Sequence, residues 1–304
     1  MKCLLFGATG FLGGHIRSLL DAHPGVTVVA AGRSPRPGHL RLDLAATGPA
    51  DVLRIVRTVA PDVVVNAAGV TGGGAEAMAA GNVVAVANLI AALDRHDRPV
   101  RLVHLGSAAE YGPVPAGRPV PEDRPAEPLT AYGMSKLAGT ELVLAARRRG
   151  REATVLRVFN PVGPGTPDRL LPGRLVGELL RAARTGERAR VGNLDGHRDF
   201  VDVRDVAAAV VAAATTGASP ALINVGSGEA TALRDFAALA AGLAGVEVPA
   251  EDETVGSARS AVVTWQQADI DVAGSALGWQ PRIPLAVSLT DMGLGATRHE
   301  PASR

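Results

Sequence analysis

The chain has 304 residues, of which 47% are hydrophobic and 3% aromatic, and its formal net charge is +1. That is ample apolar material for one or two packed domains with a core of mostly Ala, Val and Leu, which excludes a disordered chain. The balanced charge gives no ground for nucleic-acid or membrane-surface binding, and the single cysteine, Cys3, excludes an intrachain disulfide.

Met1-Lys2 leads into a strand at 3–6 without the apolar stretch of a secretory signal, and no apolar run approaches the ~20 residues of a membrane span. A soluble, cytoplasmic protein is therefore expected. Cys3 lies inside the first apolar run and reads as a buried, inert thiol. A glycine turn, Gly7-Ala8-Thr9-Gly10-Phe11-Leu12-Gly13, opens a helix over 11–20. Strands at 26–31, 62–65, 100–105 and 154–158 alternate with helices at 53–59, 83–93 and 131–149. Thr130 is placed to cap the last helix and Gly150 to end it, and the run Arg147-Arg148-Arg149 suits its C-terminal dipole. These strands show no in/out alternation, so both their faces are buried, as in a parallel sheet covered by helices. The order predicts an α/β protein with a Rossmann-type doubly wound parallel sheet.

The regularity stops after Phe159. Residues 160–173 are rich in Gly and Pro and read as irregular. Helices at 175–185, 206–214 and 233–243, strands at 200–201 and 221–225, and loop and edge strand over 246–261 follow, and 296–304 are expected to fray. The expected division is a dinucleotide-binding domain at 1–160 and, at 161–304, mainly a smaller C-terminal substrate-binding lobe, with about 199–228 returning to the first sheet.

The glycine turn lies between a strand and a helix, where glycines permit a tight turn, close approach of a phosphate and close helix–strand packing. The helix N-terminus then offers free N–H groups and a positive dipole end to a pyrophosphate. A purely structural turn is the bland alternative. The second strand runs into Arg33, Ser34 and Arg36, where an NAD site carries Asp or Glu for the ribose 2′-hydroxyl. Basic residues there suit a 2′-phosphate and favour NADP over NAD, unless Arg33 is merely a solvated loop residue. Asp43 is placed either to meet the adenine or to cap the next turn. Asn66-Ala67-Ala68-Gly69 ends the strand at 62–65, where small residues let a cofactor lie close to the sheet.

Tyr132 and Lys136 are four apart and share one helix face. A tyrosine has a pKa of about 10, and a neighbouring ammonium favours the phenolate. The same lysine can reach the nicotinamide ribose. Ser107 ends a strand at the carboxyl edge, where doubly wound folds bind ligands, and its hydroxyl can orient a substrate carbonyl. Each piece also occurs by chance; their combination in this register points to Ser107, Tyr132 and Lys136 as catalytic residues. The seven histidines show no metal-ligand spacing, so no metal site is expected.

Further segments match a known pattern: Glu110-Tyr111-Gly112 after Ser107, the run from Arg157 to Gly165 that contains Phe159-Asn160-Pro161-Val162, Arg198-Asp199-Phe200-Val201-Asp202, Asn224-Val225-Gly226-Ser227-Gly228, and Leu277-Gly278-Trp279-Gln280-Pro281. With the glycine turn and the Ser–Tyr–Lys set, they resemble the extended short-chain dehydrogenase/reductase family over nearly the whole chain. Within it, the nucleotide-sugar branch of GDP-mannose dehydratases and GDP-4-keto-6-deoxymannose reductases is most similar. The resemblance implies a nucleotide-sugar substrate and a homodimer. It implies cofactor contacts from Gly7, Thr9, Gly10, Phe11, Leu12 and Gly13, from Arg33, Ser34, Asp43 and Leu44, from Ala67, Ala68, Gly69 and Asn82, and from Tyr132, Lys136, Phe159 and Val162. Substrate contacts would come from Ser107, Ala108, Tyr132, Asn160, Arg198 and Arg259, with Arg198 meeting the diphosphate.

One departure is informative. The family's 4,6-dehydratases carry an acidic pair directly after the catalytic Ser or Thr, whereas Ser107 is followed by Ala108-Ala109, which cannot transfer protons. Three readings remain: an NADPH-dependent reductase of an NDP-4-keto-6-deoxyhexose, a 4-epimerase with tightly bound NAD, and a dinucleotide sensor without catalysis.

Overall fold

The structure is a computed structural model and describes residues 1–33, 37–217, 219–252 and 263–295. The first half runs β1 (Lys2–Phe6), α1 (Phe11–Asp21), β2 (Thr27–Gly32), β3 (His39–Arg41), α2 (Pro49–Val59), β4 (Val63–Asn66), α3 (Ala75–Ala79), α4 (Ala85–Asp94), β5 (Arg101–Ser107), α5 (Ala131–Arg148) and β6 (Ala153–Val158). The second half runs β7 (Asn160–Val162), α6 (Leu171–Thr185), β8 (Arg190–Val191), β9 (His197–Arg198), β10 (Phe200–Asp202), α7 (Val203–Thr215), β11 (Leu222–Val225), β12 (Thr231–Ala232), α8 (Leu233–Ala244), β13 (Ala250–Glu251), α9 (Asp271–Leu277) and α10 (Leu285–Asp291).

Seven parallel strands form the central sheet in the order β3-β2-β1-β4-β5-β6-β11. Cys3, Leu4, Leu5 and Phe6 of β1 are all buried because helices cover both faces of the sheet. One face packs Leu5, Val65 and Leu156 against Ile16 of α1, Val206 and Val210 of α7 and Ala273 of α9. The other packs Leu4, Val64 and Leu102 against Val52 and Val56 of α2, Leu89 and Leu93 of α4 and Val143 of α5. The chain winds outward from β1 through β2 to β3, then crosses to β4 and onward. The topological switch therefore lies between β1 and β4, whose ends Phe6 and Asn66 are register partners. In open α/β sheets that crevice is where ligands bind. A third core cluster joins α6, α8 and β10, where Phe200 stacks on Phe236 at 4.3 Å between ring centroids.

Two expectations need correction. Residues 160–173 are not wholly irregular: Asn160–Val162 pairs in parallel with Phe200–Asp202, and the following helix begins at Leu171. Pro172 in its first turn explains the early start, since its fixed φ suits a helix opening where no N–H is needed. Among the described residues, one 20-residue helical run, Ala75–Asp94, is also long and apolar enough to cross a membrane by length and composition. It is a single run because a π-helical turn at Ala80–Val84 joins α3 to α4. Its Leu89, Ile90 and Leu93 lie in the core against α2. Burial pushes the Cys3 thiol up to about 12, so it stays protonated and unreactive. The expected fraying at 296–304 and most of the expected edge segment at 246–261 lie outside the described residues.

Candidate active site

The site is built at the carboxyl ends of β1, β4, β5 and β6. Gly7 has φ +81°, a left-handed conformation that L side chains rarely adopt. A Cβ on Gly13 would run into the Gly7 carbonyl, so the first turn of α1 can sit on the glycine turn only with glycine there. No side chain caps α1, which leaves its first N–H groups for an anionic ligand. Asn82, in the π-helical turn, fixes the loop after β4. Its Oδ1 accepts from Val70 N at 2.8 Å, and its Nδ2 donates to Val70 O at 2.8 Å and to Ser135 Oγ at 3.0 Å. That last bond ties the loop to α5.

A cavity of about 380 Å³ runs from this turn across the sheet edge. Gly10, Phe11, Leu12 and Gly13 line one end, and Ala67, Ala68, Gly69 and Asn82 follow. Ser107, Ala108, Tyr132 and Lys136 line the middle, and Phe159, Asn160 and Arg198 the far wall. The uncapped helix end, the Cβ-free turn and the length of this cavity suit a dinucleotide laid across the switch point.

Ser107 closes β5. Its Oγ accepts from Ala109 N at 3.2 Å, which leaves its own proton to donate. Lys136 is buried, and its Nζ donates to Leu105 O at 2.5 Å. Burial lowers the Lys136 ammonium and the negative charge of Glu110 works against that drop. Beneath it, burial and then the charge of Lys136 hold His104 far below its ordinary value, so this imidazole is neutral. Asn66 Nδ2 lies 3.1 Å from its Nδ1.

On the substrate side, Asn160 Nδ2 donates to Asp199 O at 2.9 Å and to Gln266 Oε1 at 3.1 Å. Arg198 is buried, its Nη1 donates to His197 O at 2.9 Å, and burial lowers its pKa. Asp199 faces away from the cavity and accepts from Ser227 N, Gly228 N and Ala268 N, which locks the strand that presents Arg198.

Other expected residues lie off this lining. Gly7 shapes the turn from behind, Thr9 is exposed within that turn, and Arg33 is exposed just past β2. Asp43 Oδ1 accepts from Ala45 N at 3.0 Å, the capping alternative, and Leu44 is core. Val162 is fully buried in the third core cluster, because β7 turns it away from the cavity. Ser34, Arg36 and Arg259 lie outside the described residues.

The structure also brings in residues outside the expected set of site residues. Arg169 Nε donates to Thr71 Oγ1 at 2.9 Å across the cavity rim, and Gln266 lines the far wall. Arg169 and Gln266 lie in irregular stretches that carry no periodic signal. Glu110 and Arg157 form a fully buried ion pair at 2.8 Å. A charged residue inside the otherwise apolar strand 153–158 was the available signal for that pair. Among the described residues, no group of three or more His, Cys, Asp or Glu side chains could hold a metal ion.

Comparison with known proteins agrees with this geometry. The chain is 38% identical to a dTDP-6-deoxy-L-talose 4-dehydrogenase (NAD(P)(+)) of Kitasatospora kifunensis over 305 residues, 96% of this chain and 94% of that protein. A solved structure of RMD from Pseudomonas aeruginosa complexed with NADPH superposes with a TM-score of 0.82 at 27% identity, over 97% of this chain and 98% of that one. MoeE5 in complex with UDP-glucuronic acid and NAD gives 0.83 at 29% identity, over 97% and 99%. Residues 3–226, from the first strand through the returning β11, match one family description, so the chain belongs to the NAD dependent epimerase/dehydratase family.

Proposed function

We propose that this enzyme reduces the C4 ketone of an NDP-4-keto-6-deoxyhexose with NADPH. The observation that carries this reading is the wall beside Ser107. Ala108 and Ala109 line the cavity there, and the next carboxylate, Glu110, is fully buried against Arg157. Among the described residues beside Ser107, no acid stands ready to expel the C6 hydroxyl or to take the C5 proton, which argues against 4,6-dehydration. The Kitasatospora relative is named for redox chemistry at C4 of a 6-deoxyhexose, the same carbon in the opposite direction, which favours a dTDP-sugar.

Bound NADPH would supply the hydride. Ser107 donates a hydrogen bond to the ketone oxygen and polarises it. Tyr132 gives its phenolic proton to that oxygen as negative charge develops, and Lys136 favours the phenolate left behind. Gly10–Gly13 and the start of α1 hold the pyrophosphate, and Arg198 holds the sugar diphosphate. The adenosine end carries Arg33, exposed just past β2, and Arg41, whose Cα is the register partner of Gly32. Both suit a 2′-phosphate. Residues beyond 160 supply most of the substrate lobe. The enzyme is further read as a homodimer, with Val84 and Met134, 44% and 54% exposed on adjoining helices, as apolar contacts.

The second reading is a 4-epimerase with tightly held NAD, which the NAD-bound MoeE5 complex favours. Denaturing the purified protein and identifying the released nucleotide separates the two. An empty site that binds NADPH well above NADH supports the reductase. Stoichiometric NAD with no preference for NADPH overturns it.

A further inference from the structure

Glu110 is fully buried and charged, yet it does not line the cavity. Its Oε1 accepts from Ser107 N at 2.7 Å and from Thr140 Oγ1 at 3.0 Å, and its Oε2 accepts from Arg157 Nε at 2.8 Å. Those donors sit on β5, α5 and β6, the elements that present Ser107, the Tyr132–Lys136 face, and Phe159 with Asn160. Gly106 makes room for the carboxylate, since a Cβ there would lie 2.8 Å from Oε1. Behind the pair, the Arg157 guanidinium lies 4.4 Å from the Tyr111 ring centroid, and Tyr111 OH donates to Asn224 Oδ1 at 2.7 Å. A buried ion pair rarely adds more stability than an apolar replacement of equal volume, so stability alone does not account for it.

We propose that Glu110 is a positioning residue of this active site: its carboxylate fixes the backbone of Ser107 and, bonded to Thr140 one helical turn after Lys136, sets a negative charge beneath the Tyr132–Lys136 face. The proposal rests on the reading of Tyr132 and Lys136 as the proton-transfer pair. Of the titratable and charged groups on the elements around Lys136 (Glu110 after β5, Arg157 on β6, neutral His104 on β5 and Tyr132 on its own helix), Glu110 is the one whose charge raises the Lys136 pKa. Burial disfavours the charged form of Lys136, and the negative charge of Glu110 opposes that effect. Without the carboxylate, Arg157 would repel Lys136 uncompensated.

Glu110→Gln keeps the shape and an acceptor oxygen but removes the charge. Lys136 then deprotonates at lower pH, so the alkaline limb of kcat for ketone reduction moves to lower pH. At neutral pH, kcat falls about tenfold or more while KM and NADPH affinity stay within about threefold. The chain has two tyrosines, and burial holds the Tyr111 phenol above its ordinary value, so the proposal assigns the earlier tyrosinate signal of an alkaline absorbance titration to Tyr132. In Glu110→Gln that tyrosinate signal moves to higher pH, opposite to the kcat limb, because Tyr132 has lost the ammonium beside it. Glu110→Asp keeps the charge and returns both limbs toward the wild type. Should Glu110→Gln fail to fold, Glu110→Gln with Arg157→Met removes both charges and gives the same opposed shifts at reduced size. Limbs that stay at wild-type positions in the folded variant, whether or not KM, kcat and Tm degrade together, overturn the proposal. The tyrosinate titration needs no substrate, so it stands even where ketone reduction by the wild type fails, and that failure would count against the reductase reading alone.

Discussion

The Lys136 ammonium donates to the carbonyl oxygen of Leu105, two residues before Ser107 on the same strand, at 2.5 Å. This bond fixes the spacing between α5 and the end of β5, so Tyr132, one turn before Lys136, faces the cavity beside Ser107. Beside the Glu110 bridge from Ser107 to Thr140, this bond is a second tie between β5 and α5. Tyr132→Phe leaves that contact intact. It should lower turnover by at least about 100-fold while NADPH affinity, read by fluorescence titration, stays nearly unchanged. Retained turnover in Tyr132→Phe would remove the phenol from the mechanism.

Arg33 and Arg41 flank the end of β2, where an NAD site would carry an acid. Each charge-assisted hydrogen bond to a 2′-phosphate contributes about 1.5–3 kcal/mol, so Arg33→Ala should weaken NADPH binding by about tenfold or more. NADH binding should be unaffected. Equal losses for both cofactors would assign Arg33 to the fold.

Arg198 reaches the far wall from β9 and is desolvated there, which strengthens its attraction for a diphosphate. Arg198→Met should raise KM for the nucleotide sugar about tenfold or more with a smaller change in kcat, because the diphosphate is bound alike in ground and transition states. A fall in kcat at unchanged KM would place Arg198 at the reacting carbon.

Stability should depend on pH through Asp202, the fully buried N-cap of α7. Burial works to raise this carboxyl, but Arg204 and Ser288 together hold it below its ordinary value. A carboxyl with a depressed folded pKa contributes stability above its unfolded pKa and loses it as pH falls through the folded one. Urea midpoints should therefore hold near neutrality and drop on the acid side of the usual carboxylate range. Ser288→Ala removes the 2.6 Å bond from Ser288 Oγ to Asp202 Oδ2. It should cost about 1–2 kcal/mol at pH 7 and flatten the acid loss. An acid loss as steep as that of the wild type would show that Asp202 is not the titrating group.

Much of the site was readable because its chemistry is local. The glycine turn, Ser107 and the Tyr132–Lys136 spacing depend on neighbours within one strand or one helical turn, and they fall where a doubly wound sheet puts its ligands. Long-range pairing was less readable. The short strand Asn160–Val162 exists because Phe200–Asp202 comes to lie beside it, and no local pattern in a Gly- and Pro-rich run announces such a partner. Glu110 and Arg157 are 47 residues apart, and their role follows only from a shared burial that brings them within 2.8 Å. The helix Ala75–Asp94 escaped as one run because glycine and Asn82 interrupt its apolar pattern, while a π-helical turn carries it through.

The most direct test follows NADPH absorbance while the purified enzyme is mixed with a dTDP-linked 4-keto-6-deoxyhexose. Ketone reduction by Tyr132 and Lys136 predicts many moles of NADPH oxidised per mole of enzyme, matched by loss of the ketone and absent in Tyr132→Phe. Interconversion of two C4 epimers on a tightly held NAD, with no net NADPH consumed, would contradict it.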